Sequence, residues 1–165
     1  MPVRLIYNGR EKARMPQLRQ VLLIAAKPET VWEVLDNPYY APKLHPDLLT
    51  TKVEPGGRAS VGQNRTSTAR AGTRIFEIRT RVAEIVPARR FVLVHREGGA
   101  YTLFKAVLEL TPSGNGTQLV ASFEFVVSQS YFEGMNIVAL ESAARTNLVS
   151  YLKNLKELSE LKPLR

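Results

Sequence analysis

The 165-residue chain contains no cysteine. That excludes a disulfide framework, thiolate chemistry and any cysteine-ligated metal. Long hydrophobic runs are missing too. The longest, Val21 to Ala26, is far below the ~20 residues a membrane span needs. Met1-Pro2-Val3-Arg4 opens the chain with no apolar stretch of signal-peptide length, so a reducing, cytoplasmic setting is expected. Histidine is scarce: only His45 and His95 occur, with no HxH or HExxH spacing and no carboxylate cluster beside them. No metal site and no cofactor is expected from such a set. No internal repeat and no low-complexity tract is visible.

What is present is charge of one sign, unevenly placed. The net charge is +8, and all of that excess lies in the first 100 residues. Between Arg58 and Arg96 stand nine arginines and no lysine, with Glu77 and Glu84 as the only acids. Such a segment attracts anions, or it is a solvated sheet face that keeps the protein soluble. Arg65, Arg79, Arg81 and Arg96 are the candidate anion surface.

The pattern along the chain is that of one α+β domain over residues 17–162, preceded by a segment, 1–16, that is either an arm or an extra strand. Within that segment Val3 to Tyr7 reads as a short strand and Asn8-Gly9 as a hairpin turn. Leu18 to Ile24 is β-branched and apolar, a strand. Pro28 and Glu29 suit a helix first turn, and Val31, Trp32, Val34 and Leu35 form its apolar stripe. Asn37-Pro38 stops it, and Tyr39 to His45 fits a second short helix. From Thr50 strands follow: Val61 to Ala69; Ile75 to Val86, where Phe76, Ile78, Thr80 and Val82 face one way and Glu77, Arg79 and Arg81 the other; Phe91 to Arg96; Tyr101 to Leu110; and a last one with Leu119, Ala121, Phe123, Phe125 and Val127 on one face. Phe132 to about Leu161 is a long helix with Ile137, Leu140, Ala144, Leu148, Tyr151, Leu155 and Leu158 on one stripe. Sequential strands with tight turns predict an antiparallel sheet of about seven strands. Its apolar face must be covered, and only the terminal helix is large enough to do so.

The stretches IAAKPETVWEVL (Ile24 to Leu35), YYAPKLHP (Tyr39 to Pro46) and PSGNGTQL (Pro112 to Leu119), with the terminal ALESAARTNLVSYLKNLKELSE, resemble the START-like, helix-grip superfamily. That superfamily includes polyketide cyclases and dehydrases, coenzyme Q-binding proteins and plant allergen-like proteins. Gly62 fits the small residue common at the start of a second or third strand there. The resemblance covers roughly residues 18–160; the first 16 residues and the arginine-rich strands depart from the common pattern. It implies a curved sheet wrapped on a long C-terminal helix, with a pocket between them gated by loops, and ligands such as lipids, polyketides or quinones. Some members are enzymes and many only bind, so fold alone does not assign a reaction.

The expected pocket lining follows from the element order. Trp32, Tyr39, Tyr40, Leu44 and His45 come from the helical segments after the first strand. Phe76, Ile78, Phe91, Phe104, Phe123 and Phe125 come from the sheet. Tyr131, Met135 and Leu140 come from the approach to the long helix and its first turns. Phenols and the single indole suit a mostly apolar ligand with a polar end, and methionine adapts to varied shapes. His45 and Glu141 are the candidate acid and base should the protein catalyse, although Glu141 has Arg145 at i+4 as an ordinary partner.

Three readings follow. The leading one is a binding or carrier protein for a small hydrophobic ligand, held by apolar burial with a tyrosine or an arginine orienting its polar end. The second is a polyketide cyclase/dehydrase-like enzyme. The third is an interaction module docking RNA or an acidic partner on the arginine face; no nucleic-acid motif is present and Arg79 and Arg81 share their face with no aromatic ring, so base stacking has no platform there. A homodimer stays open.

Overall fold

Strand β3, Gln17–Ile24, is where the chain enters its main sheet. The computed structural model describes residues 4–7, 10–13, 16–45, 47–71, 74–98, 101–127, 134 and 136–161. Before β3, Arg4–Tyr7 (β1) and Arg10–Ala13 (β2) pair antiparallel in a two-stranded sheet of their own. The Asn8-Gly9 turn lies outside the described residues.

Helix α1, Pro28–Asp36, begins with proline at its first position and Glu29 in its first turn, as the helix dipole favours. It buries Val31, Trp32, Val34 and Leu35. Asn37 ends it and accepts a hydrogen bond from the Tyr39 amide at 3.1 Å, which starts a 3-10 turn over Pro38–Tyr40. Ala41–Leu44 (α2) follows directly, so the expected second short helix is split in two.

Six more strands follow: Leu48–Glu54 (β4), Asn64–Ala71 (β5), Arg74–Val86 (β6), Arg90–Gly98 (β7), Tyr101–Ser113 (β8) and Gly116–Val127 (β9). With β3 they form one antiparallel seven-stranded sheet in the order β3-β9-β8-β7-β6-β5-β4. The expected strand from Val61 starts later, at Asn64. Gly62, at φ 85°, is in a turn whose amide donates to the Val82 carbonyl at 2.8 Å. Register shifts at Arg79/Thr80 and Val82/Glu84 between β6 and β7 add the local bend that curves a sheet.

The long helix α3, Ile137–Leu161, starts where Asn136 accepts from the Val138 amide at 2.8 Å, a side-chain cap. The expected earlier start at Phe132 falls on residues outside the description. Leu140, Ala144, Leu148, Leu152 and Leu155 are buried, each leucine contributing about 1.5–3 kcal/mol. Three bonds tie α3 along β3: Arg145 to the Gln17 carbonyl at 2.6 Å, Lys156 to the Leu23 carbonyl at 2.7 Å, and the Ala25 amide to Glu160 at 2.9 Å. Arg145 is thus engaged with the strand edge rather than with Glu141. The helix therefore lies over β3 and β9, at one end of the sheet. No helix among the described residues is long and apolar enough to cross a membrane. The sheet, the terminal helix and the two short helices make the helix-grip fold.

Candidate ligand-binding site on the concave face

Cross-strand partners share a face of an antiparallel sheet, so the register reads out what faces α3. One row is Val53, Arg65, Thr80 and His95. The next is Thr51, Ser67 and Ile78, with the Thr51 and Ser67 hydroxyls 3.1 Å apart. Ala69 and Phe76 pair beyond them. In the other direction come Val82, Leu93, Ala106 and Phe123, and then Phe91, Leu108 and Ala121. The β9 end of this surface is apolar and sealed, with Phe123 and Phe125 at 2% and 0% exposure. The β4–β7 end is different: Ser67, Phe76, Ile78, Thr80, Leu93 and His95 face inward yet are only half-buried.

Two aromatic residues from the helices border that end. Asn154 on α3 donates to the Leu44 carbonyl at 2.9 Å and so pins the end of α2 to the long helix. His45, the next residue, stacks on Tyr151 of α3 with ring centroids 4.4 Å apart and planes at 22°. Tyr151 meets Phe123 edge-on at 6.5 Å, while Trp32 meets Phe91 edge-on at 6.1 Å. Burial pushes the His45 pKa down to about 4, so its ring is neutral near pH 7. Burial pushes the Tyr151 phenol up to about 12, with nearby Arg65 opposing the shift. The phenol therefore keeps its proton and can donate.

Arg65 is the unusual residue of the site. Only 8% of it is exposed. Its Nε donates to Gln63 Oε1 at 3.2 Å, its guanidinium lies 5.4 Å from the Phe91 ring centroid, and its Nη2 is buried without a partner. No carboxylate among the described residues forms a salt bridge with it. Asp36, the nearest acid felt by Arg65, is taken by Arg58 at 2.8 Å, and burial raises its pKa against that arginine's pull. Gln63 is itself fully buried, its Nε2 held by the carbonyls of Pro55, Arg58 and Gly57 at 2.9, 3.1 and 3.3 Å. The amide oxygen is thereby aimed at Arg65. The loop that carries those carbonyls is docked on α1 by Arg58 and by the Ala59 amide, which donates to the Asp36 carbonyl at 2.8 Å.

The sequence-derived candidates divide accordingly. Trp32, Leu44, Phe91, Phe123, Phe125 and Leu140 are buried core. Tyr40, His45, Phe76, Ile78 and Phe104 are half-buried, and Phe104 tilts against Phe123 at 6.2 Å. Tyr39 is 67% exposed, its ring against Tyr40 and under the Lys43 ammonium at 4.4 Å, so it belongs to the surface. Tyr131 and Met135 lie outside the described residues. Glu141 is ten residues before Tyr151 on α3, roughly 15 Å along a helix, so it is not brought together with His45.

Of the candidate anion surface, Arg65 does not lie with the others: it shares the period-two side of buried Ala69 and points inward. Arg79, Arg81 and Arg96 do lie outside and exposed. Arg79 is occupied by Glu97 at 2.6 Å and Glu77 at 3.2 Å, and Arg90 by Glu84 and Glu109. Exposed pairs of this kind are worth about 0–1 kcal/mol, but they do lower the charge the face presents. Sequence reasoning missed Gln63, Tyr151 and His95 as site residues. For Arg65 a signal existed, since counting back by twos from Ala69 reaches it, but a strand reading NRTSTARA has no apolar face to say which side is inside.

A family profile described as polyketide cyclase / dehydrase and lipid transport matches residues 15–160. Comparison with curated protein sequences returns no match. Among solved structures, the Zhui aromatase/cyclase of a Streptomyces species superposes with a TM-score of 0.72 at 19% identity, over 89% of this chain and 94% of that one. A START superfamily protein of Mycobacterium smegmatis gives 0.70 at 14% identity, over 87% and 97%. The ginseng major latex-like protein of Panax ginseng gives 0.66 at 11% identity, over 90% and 99%. At these identities the likeness is one of fold. With the profile spanning nearly all of the seven-stranded sheet and the terminal helix, the chain belongs to the polyketide cyclase/dehydrase and lipid transport family.

Proposed function

We propose that this protein binds a small, largely apolar molecule, of lipid, polyketide or quinone type, between the β4–β7 end of its sheet and the helices α2 and α3. One observation carries the reading: Phe76, Ile78, Leu93 and Phe104 face the inside of the sheet and remain half-buried, while Phe123 and Phe125 under α3 are sealed. Apolar side chains left partly exposed to water gain when a ligand covers them, by about 25 cal/mol per Å². About 300 Å² of apolar contact would contribute roughly 7 kcal/mol before the costs of association. Native mass spectrometry of protein purified from its host tests this. The expected result is a co-purified organic molecule, released by solvent extraction and replaceable by an added hydrophobic fluorophore. A clean apo mass together with no fluorophore uptake refutes the reading.

The family match favours a second reading, a cyclase or dehydrase with His45, stacked on Tyr151, as the residue that meets the substrate. An enzyme loses turnover of a poly-β-ketone in His45→Ala, whereas a carrier keeps its binding.

A further inference from the structure

We infer that the ligand ends in a carboxylate and that the guanidinium of Arg65 receives it. The inference rests on the apolar-ligand reading above and names the class of molecule that fits the same site.

A buried cation is costly unless its N–H groups are engaged and its charge is matched. Among the described residues Arg65 has one hydrogen bond, from Nε to Gln63, and no ion pair. Its Nη2 meets no acceptor. The one carboxylate whose charge acts on Arg65, Asp36, is already bound to Arg58. Asp36 therefore acts on Arg65 only through space, and the Nη2 of the guanidinium is left without an acceptor.

The surroundings bury the group and hold it in place. Gln63, clamped by three loop carbonyls, fixes the Nε edge. Phe91 supports the guanidinium. A fork held this way loses little freedom when it binds a planar, two-oxygen group. The Tyr151 phenol, whose ionisation Arg65 influences, stays protonated and is a neutral donor on the helix side. His45 beside it is uncharged near pH 7. The site thus offers one positive charge, which suits a monoanion such as a carboxylate better than a phosphate dianion.

The test uses the full chain with cis-parinaric acid and its methyl ester, matched in apolar body and different only in charge, titrated by fluorescence. The acid is expected to bind about 10- to 100-fold more tightly than the ester, the range of a charge-assisted hydrogen bond. In Arg65→Met the acid should fall to the level of the ester while the ester keeps its affinity. Arg65→Met removes a buried charge but also strands Gln63 Oε1, two opposing effects, so it should melt within a few degrees of the parent protein. A second measurement needs no variant: titration of the parent protein at a pH low enough to protonate the probe should abolish the difference between acid and ester. Equal affinities for acid and ester in the parent protein overturn the carboxylate and leave the apolar site standing. Failure of both probes to bind overturns the apolar-site reading and this inference with it.

Discussion

Gln63→Leu is the substitution whose cost the structure specifies most closely. The two side chains are similar in volume and the position has no exposed surface, so steric change is small and the loss is polar. Gln63 Nε2 has two hydrogens for three carbonyls; the Pro55 and Arg58 contacts at 2.9 and 3.1 Å are the better ones. Losing them costs about 1 kcal/mol each, and leaving the charged Nε–H of Arg65 without an acceptor costs about 1.5–3 more. The expected loss is therefore about 3–5 kcal/mol, roughly a 10 °C fall in Tm for a chain of this size. Urea denaturation followed by the fluorescence of the single tryptophan measures it. A double-mutant cycle with Arg65→Met separates the two roles: removing both partners should cost about 1.5–3 kcal/mol less than the sum of the single changes. A loss below about 1 kcal/mol, or strict additivity in the cycle, would refute the claim that Gln63 positions the guanidinium.

Two further outcomes are expected. His45 has a folded pKa of about 4 against 6.5, so between those values the unfolded chain binds more protons than the folded one and stability falls as pH drops through that window, by about 3 kcal/mol at most; denaturation midpoints taken from pH 7 down to 4 should show this slope, and His45→Phe should flatten it. At Gly116 a Cβ would run into the backbone carbonyl of Ile24, where no flexible side chain can yield, so Gly116→Ala should lower Tm by several degrees, whereas alanine at Gly56, which would meet nothing, should leave it unchanged.

The order of elements was legible in the sequence because it is written in local signals. Period-two alternation in Ile75 to Val86 and in Leu119 to Val127, helical spacing from Leu140 to Leu158, Pro28 at a helix start and Asn37-Pro38 at its end each depend on neighbours a few residues away. The apolar lining followed from the same periodicity, which is why Trp32, Phe91, Phe123 and Phe125 were found, although they turn out to be sealed core. Tyr39 was misplaced because a tyrosine in a short helical segment carries no mark of which way that segment faces.

What sequence alone determined, then, was an antiparallel sheet with one long amphipathic helix to cover it, because an apolar sheet face must be buried; its curvature came from the family resemblance. What only the tertiary structure decided was where the cover stops and which arginine goes inside. Arg145, Lys156 and Glu160 fasten α3 over β3 and β9, leaving the inward residues of β5 to β7 half-covered. Arg65 is turned inward by its pairing with Val53 and Thr80 on the neighbouring strands. Register and helix placement are contacts between residues far apart in the chain, and a charged side chain in a polar strand bears no local sign of the face it will occupy.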